Sequence, residues 1–431
     1  MKEDFLHYIW QYQYFHKEQL QTTAGEEVVV LHPGFYNKGD AGPDFSSARV
    51  LINNTEWAGS VEIHLKSSDW RRHQHQHDAK YNQVILHVVW EEDEPVRRQE
   101  GTLMPTLELK GLVNLPLQAQ YQELFWSKEI IPCAPQAPKI DSVHKSSMMD
   151  KTLVERLELK AGLVLERLEQ NKQDWEATVY QTMAYGFGFK INQDGFLRLT
   201  QVLPWNIINR YCNNPNQLEA LLFGQAGFLH VAETAIADEY VQTLAKEHRF
   251  LAHKHNLSQP LPKSAWNMLR LRPANFPAVR LGQFFAVLQA HPHLWSELAL
   301  CDSKENYYRY FLQTPPIYWQ QHYAPGKPSA HQFPHIGEES IQNLLINVVA
   351  PLLVAYGKRM GNETYQDKAI ELLESLGKEQ NRITRLYSNL GFTHRSAADS
   401  QALIGLYHTY CTPRKCVHCA VGHRLMKQNL T

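Results

Sequence analysis

Four polar residues near the N-terminus have the types and spacing of a metal-dependent hydrolytic site. Glu62, His64 and Lys66 alternate with apolar residues over 60–66, so they share one face of a predicted strand. Asp44 begins the preceding strand, and a hairpin would bring it beside that face. Two carboxylates on adjacent strands, with a cation alongside, could hold a hydrated Mg²⁺ or Mn²⁺ that activates water against a phosphodiester. The alternation also fits the solvated face of an ordinary antiparallel hairpin, so both interpretations stay open.

The elements that would position these residues follow one another closely. We expect a helix, a strand, a turn-rich loop, a two-stranded hairpin turning at two asparagines, a second helix, an apolar central strand and a short last strand. Their expected ranges are 3–21, 26–31, 33–44, 47–52 with 57–66, 71–82, 84–90 and 104–109.

This order of elements resembles the PD-(D/E)xK nuclease superfamily. Pro43-Asp44 matches its first acidic element, and Glu62-Ile63-His64 matches the second, with histidine where the superfamily has lysine. Lys66 lies two residues on and is the candidate replacement for that lysine. The resemblance implies a restriction-endonuclease-like mixed sheet with flanking helices in residues 1–112, and cleavage of DNA or RNA. The altered cation equally fits a catalytically inactive scaffold that binds nucleic acid or protein.

Two further residues support the same resemblance. Tyr81 ends a segment, His77-Asp78-Ala79-Lys80-Tyr81, that is similar to the Gln-x-x-x-Tyr element of the RecB-like branch. His32 lies upstream of Asp44, where that branch often has a histidine. The resemblance implies supporting roles for both in the site.

The chain also resembles an uncharacterised family of bacterial proteins, found chiefly in Bacteroidetes. The segments that carry this resemblance are 42–45, 57–64, 271–277 and the terminal cysteines. The resemblance implies no activity.

A run of histidines follows the predicted hairpin. On a helix, His73 and His77 would share a face with Tyr81. On a strand or loop, His73, His75 and His77 would line up, loosely similar to the motif of metallo-β-lactamase-type hydrolases, which gives a zinc-dependent hydrolase as an alternative function. A solvated helix face and a supporting role beside the cleft also fit the run.

The sharpest local motif is the cysteine cluster at 411–423. Cys411, Cys416 and Cys419 have knuckle spacing, and either His423 or Cys133 could be a fourth ligand. A structural Zn²⁺ site is the first expectation, an iron–sulfur cluster that uses Cys133 is the second, and unligated thiols are the third.

Three arginines near residue 275 are candidates for phosphate contact in a nucleic-acid path. Arg270, Arg272 and Arg280 flank a segment rich in proline, which could begin a helix whose N-terminus attracts anions. Pairing with nearby carboxylates is an equally natural role.

Composition and charge limit the class of protein. The chain has 431 residues, with 43 Lys and Arg against 44 Asp and Glu, which excludes a globally basic nucleic-acid coat. Its apolar runs are too short to predict a membrane span, and the acidic start predicts a cytoplasmic protein. We expect an α+β protein in three parts. These are a nuclease-like domain over 1–112, a linker over 113–150 and an α-helical domain over 151–431.

Overall fold

The computed structural model describes residues 1–37, 39, 41–230 and 238–428. Lys38 and Asp40, in the predicted turn-rich loop, lie outside these described residues. The chain divides into two compact units. The sheet unit comprises Met1–Thr152, Asn381–Thr393 and the described residues from Leu403 on, and the helical unit comprises the described residues of Leu153–Gln380 with His394–Ala402. The predicted α+β class, with an N-terminal mixed sheet followed by a mainly helical region, is confirmed.

The sheet unit is built around one mixed β-sheet. Its strands run in the order β1-β3-β4-β5-β6, with β2 paired to β3. The first pairs are antiparallel, while β4 with β5 and β5 with β6 are parallel. The strands are β1 (Val28–His32), β2 (Phe35–Tyr36), β3 (Phe45–Ile52), β4 (Thr55–Lys66), β5 (Val84–Glu91) and β6 (Thr106–Glu108).

The predicted hairpin is present as strands β3 and β4. Asn53 and Asn54 form its two-residue turn, and both have positive φ, 46° and 63°. A two-residue turn of this hand matches the twist of antiparallel strands, and asparagine tolerates it better than most residues do. The turn fixes the register that pairs Ala48 with Gly59, and a register shift between Ala48 and Phe45 then pairs Phe45 with Val61, so the start of β3 lies beside the middle of β4.

The connection between β4 and β5 differs from the single helix predicted over 71–82. The chain forms a one-turn helix α2 (Asp69–Arg72) and then two short 3₁₀ segments, His75–His77 and Ala79–Gln83. Gln74, between α2 and the first 3₁₀ segment, takes the left-handed conformation, with φ of 61°. A left-handed residue ends helical propagation, which is why the predicted i, i+4 face does not form.

Helices flank the sheet, with bounds that also differ from expectation. Helix α1 (Glu3–Tyr12) ends well before residue 21, because Gln13 takes the left-handed conformation and caps it. Residues 113–150, predicted as a linker, contain α3 (Leu115–Trp126) and the start of α4 (Ser142–Gln170). Leu117, Tyr121 and Leu124 of α3 are buried, and this stretch is part of the sheet unit.

The remaining helices continue to the C-terminus. They are α5 (Trp175–Phe187), α6 (Gln193–Val202), α7 (Trp205–Ile208), α8 (Pro215–Gln225), α9 (Glu239–Lys254), α10 (Pro277–Ala290), α11 (Leu294–Leu300), α12 (Lys304–Phe311), α13 (Ile317–Gln321), α14 (Glu338–Leu344), α15 (Ala350–Met360), α16 (Thr364–Ser375), α17 (Arg382–Leu386), α18 (Ala397–Leu406) and α19 (Ala420–Lys427). A short hairpin, β7 (His322–Ala324) with β8 (Lys327–Pro328), lies in the helical unit. The chain from Leu403 on, including the terminal cysteines, belongs to the sheet unit, although the sequence had suggested one helical domain over 151–431.

Within the described part of the chain, one continuous helical stretch is long and apolar enough to cross a membrane. Glu338–Met360 joins α14 and α15 through one π-helical turn, and 72% of its most apolar window is buried inside the protein. A mostly buried core helix meets the same criterion of length and composition, so the stretch is weak evidence for a membrane span.

Candidate metal centre

The two predicted carboxylates lie side by side where β3 begins. The backbone N–H of Asp44 donates to Oε2 of Glu62 at 3.1 Å, and the N–H of Ile63 donates to Oδ2 of Asp44 at 2.9 Å. Each side chain is therefore held by the backbone of the neighbouring strand. The predicted approach of Asp44 to Glu62 is present in the structure.

Glu62 and His64 are not on a solvated face. Their exposed fractions are 5% and 2%, because the loop between β4 and β5 covers that side of the sheet. Buried carboxylate and imidazole groups are costly unless they are paired or bind a ligand. The interpretation of this face as an ordinary solvated hairpin face is wrong for these two residues.

Three histidines converge beside Glu62. One ring nitrogen from each of His64, His73 and His75 lies within 4.8 Å of the others. Oε1 of Glu62 is 3.2 Å from Nε2 of His75 and 3.6 Å from Nε2 of His64. Glu62 thus adjoins two of the three imidazoles, those of His64 and His75, and Asp44 adjoins Glu62.

The irregular connection after β4 is what brings two of these histidines back to the strand. Asp69 accepts a hydrogen bond from the backbone N–H of Lys66 and pairs with Arg72, which anchors α2 at the end of the strand. The left-handed Gln74 then reverses the chain between His73 and His75. A continuous helix would have placed those two side chains about 200° apart around its axis.

Residues around the cluster orient its imidazoles. His87 on β5 is fully buried, and its Nε2 lies 2.8 Å from Nδ1 of His64. The ring of Tyr81 stacks on His75 with centroids 3.8 Å apart, and Trp70 packs edge-on against the same imidazole. Metal-binding histidines usually have such partners, which fix the ring orientation.

Helix α1 contributes two residues that the sequence interpretation missed. Nε2 of His7 lies 3.2 Å from Oδ2 of Asp44, and Glu3, one turn earlier, interacts electrostatically with His7, Asp44 and His73. Their i, i+4 spacing on a predicted helix was the available signal. For His87, the available signal was its position as the lone histidine in the otherwise apolar run over 84–90.

An open groove leads to this cluster. Its volume is about 370 Å³, and it is lined by Met1, Lys2, Glu3, Asp4, Leu65, Asp69, Arg72 and His73. The lining carries charges of both signs, so His73 connects the buried cluster to a polar, accessible surface.

Burial sets the protonation of the cluster. Burial, followed by the charge of Asp44, raises the pKa of Glu62 above its ordinary value. Burial, followed by the neighbouring imidazole of His87, lowers the pKa of His64. Burial also lowers the pKa of His87, to about 3. The imidazoles of His64 and His87 are therefore neutral at pH 7, and the neutral imidazole is the form that binds metal ions.

The donor set fits a divalent transition-metal ion. Nε2 of His75 is buried, and it has no hydrogen-bond partner among the described residues even though Glu62 is close. A cation placed there would satisfy that nitrogen and would favour the charged form of Glu62. Mixed imidazole and carboxylate donors suit Zn²⁺, Mn²⁺ or Fe²⁺, whereas Mg²⁺ prefers oxygen donors alone.

Three predicted site residues lie apart from the cluster. The side chain of Lys66 is 59% exposed, and its Nζ is 3.7 Å from Asp93. His77 is exposed, and His32 packs against Phe35 with its Nδ1 accepting from the backbone of Gly34. No contact in the described part of the chain joins these residues to Glu62. Lys66 points to Asp93 because the strand ends there and the chain turns into α2.

The three candidate arginines have different environments. Arg270 and Arg272 are exposed, while Arg280 is 6% exposed on α10. The guanidinium of Arg280 donates to Gln283, Asn275 and Ser340 and lies 4.1 Å from the ring centroid of Phe189. Arg280 is thus bound by the helical unit itself, and phosphate contact by that residue would require these bonds to break.

The fold and the site together define an α+β protein with a carboxylate–histidine cluster on the middle strand of a mixed sheet and on the connection that follows it. The chain belongs to the family of proteins of unknown function DUF2851, whose match covers residues 3–382. No curated protein and no solved structure matches the chain.

Proposed function

We propose that this protein is a divalent-metal-dependent phosphodiesterase that acts on DNA or RNA. The observation that carries the proposal is the convergence of Asp44 and Glu62 with His64, His73 and His75 at the end of a groove. The order of helix, strand, Pro-Asp corner, hairpin, connection and parallel strand supports the resemblance to the PD-(D/E)xK nucleases. Carboxylates on adjacent strands are the core of the chemistry that this resemblance implies.

The metal ligands would be Glu62 and the three clustered imidazoles, with Asp44 as a further carboxylate. When bound, the ion would supply a water of lowered pKa and would offset the developing charge on the phosphate. His87 would hold the ring of His64, and His7 would hold Asp44. With Lys66 directed to Asp93, we assign it no part in the chemistry.

The imidazoles favour a second candidate, a zinc-dependent hydrolase. Three histidines within 4.8 Å of one another resemble the donor set of catalytic zinc more than that of magnesium. The set is His64, His73 and His75, in place of the run to His77 expected from the sequence. The two candidates share a site and differ in metal and substrate.

The test is cleavage of labelled single-stranded DNA, double-stranded DNA and RNA with Mn²⁺, Zn²⁺ or Mg²⁺. Wild-type protein should cleave one of these substrates with Mn²⁺ or Zn²⁺. The cleavage rate of Glu62→Gln should fall by more than the 10–100-fold that is typical when a residue supporting a metal ligand is lost. Glutamine matches the shape of a protonated Glu62, so this variant should keep the fold.

Glu56→Gln is the matched control. Glu56 lies on the same strand as Glu62 but is exposed and pairs with Arg49 at 2.6 Å. Equal activity in both variants would contradict the proposed site. Nucleic-acid binding without cleavage under any metal would instead favour the inactive scaffold, and zinc-dependent cleavage of other esters alone would favour the second candidate.

A further inference from the structure

Four cysteines from two distant parts of the chain lie in the sheet unit. Cys133 lies in the turn before α4, Cys411 ends a π-helical turn after α18, and Cys416 and Cys419 lie just before α19. All four are free thiols rather than disulfides. They come from two distant parts of the chain, so the fold rather than local spacing brings them together.

Cys416 and Cys419 form the turn that their spacing predicts. The N–H of Cys419 donates to the carbonyl of Cys416, and the N–H groups of Val421 and Gly422 donate to the Cys419 sulfur. A Cβ at Gly422 would lie 2.0 Å from the Cys416 carbonyl oxygen, so the close turn requires glycine. Backbone N–H groups directed at sulfur stabilise a thiolate, which is the form that binds metal.

The four thiols also interact with one another. Burial, and then the nearby Cys419 and Cys416, raise the pKa of Cys133 to about 12. Burial is likewise the main cause of the raised pKa of Cys411, which is affected by all three other thiols. Electrostatic interaction therefore links Cys133 to the three terminal thiols.

Cations surround the group. Lys145, itself buried, lowers the pKa of Cys133, while Arg414 does so for Cys416 and Lys151 for Cys419. Four thiolates on a metal centre carry net negative charge, and these three side chains would offset it.

His423, the other candidate for fourth ligand, has different neighbours. Its ring packs against Tyr12 and Tyr8, with centroids 4.7 and 5.4 Å apart. Burial, Lys427 and His144 lower its pKa, and no cysteine is among the causes. The structure therefore favours Cys133 over His423.

We propose that Cys133, Cys411, Cys416 and Cys419 together bind one metal centre through four thiolates. The sulfurs of a single zinc site, each about 2.3 Å from the ion, would lie roughly 3.8 Å apart. Among the described residues, three ligand atoms that all lie within 4.8 Å of one another are found at His64, His73 and His75. No three of the cysteine sulfurs lie that close together. An iron–sulfur cluster binds its thiolates through different irons and so spaces them more widely, which favours it over zinc.

The test is metal and sulfide analysis of full-length protein purified without oxygen. It is made in the Glu62→Gln background, so that metal at the carboxylate–histidine site does not contribute. We expect iron with acid-labile sulfide and visible absorption, or zinc at one per chain. Either is the four-thiolate centre, and the analysis identifies the metal.

Matched variants decide which residues hold the centre. Cys133→Ser and Cys416→Ser should lose the metal, whereas Cys301→Ser, at another buried cysteine, and His423→Ala should retain it. Alkylation with mass spectrometry provides a second readout on the unmutated cysteines, whose four thiols should be protected until the metal is removed. Metal retained in Cys133→Ser, or four thiols that react freely in protein as purified, would overturn the proposal.

Discussion

At the residue scale, the site combines groups that burial keeps neutral. Glu62 has a raised pKa, and the imidazoles of His64 and His87 have lowered ones. Such a set carries little charge of its own and gains most of its stabilisation when a cation enters. The arrangement explains how a carboxylate and several histidines can share one buried space.

The contact between His87 and His64 gives the first prediction. His87→Phe keeps an aromatic ring in the strand but removes the nitrogen that lies 2.8 Å from His64. We expect the affinity for Mn²⁺ to fall 10–100-fold, as is typical when a supporting residue is lost. Isothermal titration measures it, with the exposed His77→Gln as control. Unchanged affinity in His87→Phe would mean that His87 only fills space.

The buried arginine of the helical unit gives the second prediction. Arg280→Met leaves Asn275, Gln283 and Ser340 without their donor, so we expect a loss of about 2 kcal/mol or more in the free energy of unfolding. Arg272→Met, at an exposed site, should change it by less than about 0.5 kcal/mol. Urea denaturation compares them, and a near-neutral Arg280→Met would leave this arginine free for another role.

At the element scale, the regular parts of the fold were predictable and the irregular connection was not. Alternation and the Asn53-Asn54 turn identified the β3–β4 hairpin, and a wholly apolar run identified β5 as a central strand. The segment that carries His73 and His75 has no such period, because one left-handed residue, Gln74, decides its path. Sequence patterns therefore found the carboxylates, whereas for the histidines they left two alternatives: His73 with His77 on a helix, or His73, His75 and His77 together on a strand or loop.

The same limit explains the domain boundaries. Prolines near residue 135 suggested a linker, but they lie in a tight turn that Cys133 shares, between α3 and α4. Local composition cannot show that a segment packs on residues hundreds of positions away. The sequence alone could not show whether Cys133 lies near the terminal cysteines, whereas the fold places all four in the sheet unit.

Helix α8 gives the third prediction, on pH and stability. Oε1 of the buried Glu219 accepts hydrogen bonds from Tyr240 at 2.7 Å and from Trp319 at 2.6 Å. Burial, the largest cause, raises the pKa of Glu219, so the folded chain binds a proton more tightly than the unfolded chain. Below the unfolded value near 4.3 both states are protonated, and the stabilising proton is lost as pH rises through the folded pKa.

Glu219→Gln keeps an acceptor for both bonds but cannot ionise. We therefore expect it to unfold at a higher urea concentration than wild type at pH 7 and at a similar one at pH 4. If the difference in urea midpoint between the two proteins were the same at pH 4 and pH 7, the prediction would be contradicted. Glu219 would then be neutral across this range, or its charge would be fully compensated.

At the scale of the whole molecule, the C-terminal segment is part of the sheet unit. The N–H of Ala420 on α19 donates to the sulfur of Met148 on α4, and Arg414 donates to the carbonyl of Leu124 on α3. A further series of contacts runs from His418 to the ring of Tyr36, on to His7, and then to Asp44. The terminal residues thus contact α3 and α4, and through Tyr36 and His7 they are connected to Asp44 of the candidate site.

Truncation gives the fourth prediction. A chain that ends at residue 402 should lose hydrogen-exchange protection in α3 and in the first turns of α4, because their contacts with α19 are gone. The protection of α10 in the helical unit should persist. A chain that ends at residue 428 is the control and should behave as wild type. Unchanged protection of α3 after truncation at 402 would contradict this role of the terminal segment.

The central claim is that Glu62 and its histidines bind one divalent ion. Anomalous diffraction from crystals soaked in Mn²⁺ tests this most directly. The account predicts one strong peak bonded to Glu62 and to nitrogens of His64, His73 and His75, and its loss in Glu62→Gln crystals. A soaked crystal with no peak at this cluster, or with the same peak in Glu62→Gln, would contradict it.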